Sequence, residues 1–292
     1  MIIHKFIFII PGNPGIADYY NNLKNLLESG LGRYTSIHIL PYYGFRKDKP
    51  DRLYNLIEET EDKIDQIEAI LNLHTKNTSI KKSKSKSEKK EKFQIILIGH
   101  SIGGWIAKEI AIRNPQLPIK KIFLIFPFLK LDPNSKIQRI FKYLLKYDLY
   151  SFIALTLYKV IRILPYSFTN KLLKGLWNSM NQDSQKITQE YFLRCSHIPR
   201  SVIHLARSEF KVLDQDLDKN FFNTNPRKIH LIYNDQDIWA PISHLKEIQN
   251  LNPNISSSLL KGDLHDFCTH NSGNKIVSEI LIEQILKSFR TQ

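Results

Sequence analysis

Two hydrophobic rhythms run along this chain. Short, nearly unbroken apolar runs occupy His4–Ile10, Thr35–Leu40, Ile95–Ile98, Lys121–Phe126, Lys228–Tyr233 and Ile255–Leu260, and each reads as a buried strand. Between them apolar residues recur every three or four positions, the stripe of an amphipathic helix. Asp18–Glu28 carries Tyr19, Leu23, Leu26 and Leu27 on such a stripe, and Leu53–Leu73 carries Leu56, Ile57, Ile64, Ile67, Ile70 and Leu71. Further helices are expected at Trp105–Arg113, Ser243–Asn250 and Asn274–Phe289. Strands alternating with helices imply parallel pairing through right-handed crossovers, hence an α/β, doubly wound sheet. The alternation stops between Phe128 and Pro226, where only helical periodicity is convincing. That stretch reads as a helical cap at 128–226, inserted into a core made of 1–127 and 227–292.

The run Ile95–Ile98 ends in Gly99-His100-Ser101-Ile102-Gly103-Gly104, with a helical pattern behind it. Strand, Gly-x-Ser-x-Gly and helix in that order form a nucleophile elbow, whose turn is too sharp for side chains beside the serine. A serine hydroxyl needs a base to take its proton, and the base needs an acid to fix its tautomer. In the α/β-hydrolase fold these follow in the order serine, acid, histidine. The acid is expected in Asn234-Asp235-Gln236-Asp237, after the fifth strand, with Asp237 favoured over Asp235. Of ten histidines, His265 lies just after the last strand, where the fold presents its base. His270 has no comparable placement. Backbone N–H groups of Ile102 and Asn13 are the expected oxyanion donors, since Pro14 has no N–H. No metal or organic cofactor is required by this chemistry.

Charge alters the picture in one place. Of the net charge of +14, a large share falls in residues 76–92, where eight lysines face only Glu88 and Glu91. That Ser/Lys segment has no aromatic residue and reads as a solvated, disordered loop rather than a nucleic-acid contact. Two cysteines, Cys195 and Cys268, make no disulfide framework and suggest a reducing compartment. Met1–Ile10 reads as a first strand and not a signal peptide, and no apolar stretch is long enough to span a bilayer.

Ile10-Pro11-Gly12-Asn13-Pro14-Gly15-Ile16, Tyr19-Tyr20, Gly99-His100-Ser101-Ile102-Gly103 and Ser208-Glu209-Phe210 together resemble the lipid droplet-associated hydrolase family. Asp237-Ile238-Trp239-Ala240-Pro241 and Gly262-Asp263-Leu264-His265 fit it as well, and Asn234 stands where that family usually has glycine. The resemblance implies a serine hydrolase of lipid droplets and the cytosolic face of the endoplasmic reticulum. It implies apolar lipid esters, sterol esters among them, as substrates, weak activity, and Ser101, Asp237 and His265 as nucleophile, acid and base. The cap adds its own sign of a lipid surface. From Lys136 to Leu176 apolar and aromatic residues interleave with Lys and Arg, with Asp148 the only acid. Such helices suit the interface of an anionic lipid layer. Two other readings stay open: a droplet-surface protein that promotes storage with little catalysis, and a soluble esterase or thioesterase.

Overall fold

The computed structural model describes residues 3–32, 34–82, 92–165, 168–169, 175, 180–262 and 264–290. Six strands, β1 (Ile3–Ile10), β2 (Thr35–Ile39), β3 (Lys92–His100), β4 (Ile119–Ile125), β5 (Ile229–Asn234) and β6 (Ser256–Leu260), form one parallel sheet in the order β2-β1-β3-β4-β5-β6. Strands covered on both faces need apolar residues at every position rather than every second one. This is why Phe6–Ile10, Ile95–Ile98 and Ile229–Tyr233 are all but or wholly buried. The edge is different: β6 reads Ser256-Ser257-Ser258-Leu259-Leu260, and none of its residues is buried.

Helices α1 (Asn21–Leu31) and α10 (Asn271–Arg290) pack together, while α2 (Leu56–Lys82) packs on α3 (Ile102–Arg113). The remaining core helix, α9 (Ile242–Leu251), joins β5 to β6. The α1–α10 seam is close: a Cβ at Gly30 would come within 2.4 Å of Ile282 Cδ1. Between β4 and β5 the described residues contain helices and no strand. They are α4 (Lys136–Lys146), α5 (Asp148–Ile163), α6 (Gln182–Thr188) running on into a π-helical turn (Gln189–Arg194), α7 (Ile198–Val212) and the short α8 (Lys219–Thr224). Helix α7 seats this insertion, burying Ile198, Leu205 and Phe210, and Ser208 Oγ accepts the Leu56 N–H that opens α2.

Three expectations change. The first helix begins at Asn21, because Ala17–Tyr20 is a tighter 3₁₀ turn. Helix α2 runs to Lys82, into the stretch expected to be loop, because lysine is a good helix former and no Gly or Pro stops it. Lys92 in turn already belongs to β3, and residues 83–91 lie outside the described residues. Finally, Ile57 is exposed, while Glu59 and Lys63 are fully buried on the inner face of α2. Burial of that pair is offset by bonds: Glu59 accepts from Lys63 and from the N–H groups of Tyr43 and Gly44.

Candidate active site

The strand order reverses around β1: β2 lies on one side and β3 on the other, so the ends of β1 and β3 open a crevice where α/β sheets bind ligands. Ile10 pairs with Gly99, which brings the loop after β1 beside the turn after β3. Ser101 sits in that turn at φ 52°, ψ −122°, a conformation that a side chain occupies only when its surroundings hold it there. The surroundings are backbone. Ser101 N–H donates to Ile125 O, and Ser101 O accepts from Gly104 and Phe128. A Cβ at Gly99 would lie 2.3 Å from Gly103 O, and one at Gly103 would lie 2.3 Å from Ile10 O, so the two flanking glycines are required by contact.

Three side chains far apart in sequence meet at this rim. His265 Nε2 lies 3.0 Å from Ser101 Oγ, and His265 Nδ1 lies 2.8 Å from Asp237 Oδ2. Asp237 is held from behind. Its Oδ1 accepts from Trp239 and Ala240 N–H at 2.8 and 2.9 Å, and its Oδ2 accepts from Asn234 Nδ2 at 3.0 Å. Burial raises the carboxyl's pKa, but the His265 bond and charge together with the two N–H bonds outweigh it, so Asp237 stays below the usual carboxylate range. An ionised Asp237 accepts only, which puts the His265 proton on Nδ1 and leaves Nε2 free to take the serine's. Asp235 turns elsewhere, its Oδ1 accepting the Gly262 N–H. His270 pairs with Asp266. Asn234 thus anchors Asp237.

Two more residues belong to the site, and their spacing in the sequence gave no sign of it. His100 is buried beside the elbow, with Nε2 2.7 Å from His265 O and Nδ1 2.6 Å from Tyr20 Oη. A carbonyl can only accept, so His100 Nε2 carries the proton and Tyr20 O–H donates to Nδ1. Burial, with the His265 charge added, lowers His100 to about 3 and keeps it neutral. Tyr20 Oη also accepts the Gly12 N–H at 2.8 Å. One unbroken set of bonds therefore runs from the loop after β1, through Tyr20 and His100, to the backbone of His265.

The expected oxyanion residues flank the same serine. Ile102 is the first residue of α3, and a Cβ at Gly12 would lie 3.1 Å from Ser101 Cβ, so Asn13's loop touches the elbow. With the Gly12 N–H engaged by Tyr20 and Pro14 lacking one, Asn13 stays the candidate donor beside the elbow. Its side chain donates to Val202 O, at 3.3 Å on α7. Burial pushes the Glu209 carboxyl up to about 8.

A cavity of about 400 Å³ opens over Ser101 and His265. Its far wall comes from the insertion: Tyr158 and Ile161 of α5, with Phe192 and Leu193 of the π-helical turn. Tyr158 Oη donates to Phe192 O and Arg162 Nε to Leu193 O, which ties α5 to that turn.

A parallel sheet with a strained serine after β3 and a helical insertion after β4 makes this an α/β-hydrolase. Solved structures agree on the fold: an esterase from Exiguobacterium antarcticum superimposes with a TM-score of 0.57 at 14% identity, over 98% of this chain and 93% of that one. The chain belongs to the lipid-droplet associated hydrolase family, whose model matches residues 4–268. Among its relatives, the lipid droplet-associated hydrolase of Gallus gallus is 28% identical over 82% of this chain and 72% of its own. That of Dictyostelium discoideum is 26% identical over 97% of this chain and 89% of its own.

Proposed function

We propose that this hydrolase cleaves carboxylic esters of apolar lipids at the surface of lipid droplets and the cytosolic face of the endoplasmic reticulum, with sterol esters in its substrate class. The observation that carries the reading is the Ser101–His265–Asp237 hydrogen-bond chain at the floor of a cavity walled by apolar side chains. Ser101 Oγ attacks the acyl carbonyl as His265 Nε2 takes its proton. Asp237 steadies the imidazolium, and the N–H groups of Asn13 and Ile102 hold the oxyanion. His265 then protonates the departing alcohol, and water, deprotonated by the same imidazole, releases the acid. The relatives' names support the lipid droplet as a place of action. So does the outer side of α4 and α5, where Ile140, Phe152, Leu157, Val160 and Ile163 are more than half exposed. Among the described residues no helix is long and apolar enough to cross a membrane, which fits a chain lying on a lipid layer.

The same exposed face favours a second reading, a surface protein whose effect on droplets needs little turnover. One substitution separates the two. Wild type is expected to label with a fluorophosphonate and Ser101→Ala not to, with the variant's ester hydrolysis lower by about 10⁴–10⁶. If Ser101→Ala changes droplet lipid content as strongly as wild type does, turnover is not the role.

A further inference from the structure

Tyr158 has two sides. One faces the reaction cavity, and the other lines a separate cleft of about 500 Å³ between the loop Lys49–Leu53, helix α5 and the start of α7. The charge around this cleft is one-sided: Lys49, Arg52, Lys159, Arg162 and Arg200 face Asp51 alone. Asp51 is occupied by the Tyr54 hydroxyl, and Arg52 is paired with Glu58. Arg162 donates to the uncharged carbonyl of Leu193, so its charge is not neutralised. Lys49, Lys159 and Arg200 have neither an acid nor an acceptor among the described residues. Like charges brought to one concave site repel each other and raise its affinity for an anion.

The rest of the wall narrows the class of anion. Leu53, Phe152 and Leu155 give the cleft an apolar side next to its cations. A small hydrophilic anion would leave that surface wet, whereas an amphiphile with an anionic head and a hydrocarbon body meets both. The cleft also opens along the helix that carries the exposed Phe152, Leu157, Val160 and Ile163, so a head bound here belongs to a molecule whose tails lie where α5 meets lipid.

We propose that this cleft binds the headgroup of an anionic phospholipid in the lipid surface, fixing the chain there with α5 against the layer. The proposal rests on the reading that the hydrolase works at a lipid surface, and it adds a headgroup preference that an apolar face alone does not give. Anionic lipid attracts each surface cation by roughly fivefold in partitioning, so three unpaired cations are worth about a hundredfold.

Flotation of the full chain with phosphatidylcholine vesicles, with and without a minor fraction of phosphatidylserine, tests it. Wild type is expected to bind the anionic vesicles more tightly. The triple variant K49Q/K159Q/R200Q should lose about a hundredfold on those vesicles, match wild type on neutral ones, and hydrolyse a soluble short-chain ester at the wild-type rate. A control with the same change in net charge, K228Q/K246Q/K275Q, should keep most of the anionic-lipid binding. The proposal is overturned if the cleft variant binds anionic vesicles like wild type, or if the control loses as much. If wild type floats with neither vesicle yet hydrolyses the soluble ester, the lipid-surface reading falls too, and the hydrolase reading stands.

Discussion

Taking one oxygen from Tyr20 would strip two groups of their bonds, the Gly12 N–H and His100 Nδ1. His100 could then turn, and the His265 carbonyl would lose the donor that fixes its loop. Tyr20 and His100 touch no reacting atom in this arrangement and act as positioning residues. Tyr20→Phe is therefore expected to lower kcat per fluorophosphonate-titrated site about tenfold with KM little changed, alongside a stability loss of about 1–3 kcal/mol. A variant that loses stability but keeps kcat per titrated site would reduce the network to scaffolding. Asp237 could be found in the sequence from its place after a strand, and so could Ser101 from its glycines. Tyr20 and His100 could not, because a histidine inside a strand end and a tyrosine in a short turn look like ordinary core until the sheet brings them together.

Helix α5 faces two environments. Tyr158 and Ile161 close the reaction cavity, while Phe152, Leu157 and Ile163 are 68%, 59% and 84% exposed. Burying such side chains is worth about 1.5–3 kcal/mol each, so their partitioning into lipid is large enough to hold the chain at a surface. Phe152→Asp with Leu157→Asp and Ile163→Asp should abolish flotation with artificial droplets and leave hydrolysis of a soluble short-chain ester within twofold of wild type. Loss of the soluble activity together with flotation would instead make this face part of the fold. The apolar and basic character of 136–176 was visible from sequence. Which residues point out was not: α5 carries apolar residues all round, and α4, though amphipathic, leaves Ile137, Ile140 and Phe141 exposed and buries Gln138, so only packing assigns the faces.

Across the whole molecule, stability carries two opposed pH dependences. Burial lowers His100 to about 3 and His230 to about 4, against 6.5 for the free side chain. The folded state keeps both neutral, so their contribution is complete above pH 6.5 and is lost as the pH falls toward 4 and 3. Glu209 acts the other way. Its folded value of about 8 against 4.5 means that its contribution is complete below 4.5 and is lost as the pH rises to 8. Calorimetric Tm should show Glu209→Gln gaining on wild type from pH 5 to pH 8 and keeping a constant lead above that. A lead that does not change with pH would mean that Glu209 is ionised in the fold.

The chain's own order of residues determined the alternation of strand and helix, the helical insertion, the elbow and the loops that offer acid and base, because periodicity and turn chemistry are local properties. Tertiary structure decided the rest. It aimed Asp237, already favoured from the sequence, at His265 and turned Asp235 to the Gly262 N–H. It put Glu59 and Lys63 inside, where two backbone N–H groups and each other's charge satisfy them. It also joined Gly12, Tyr20, His100 and His265 across 253 positions of sequence. Hydrogen bonds between residues so distant depend on where the sheet sets its strand ends, and no local pattern encodes that.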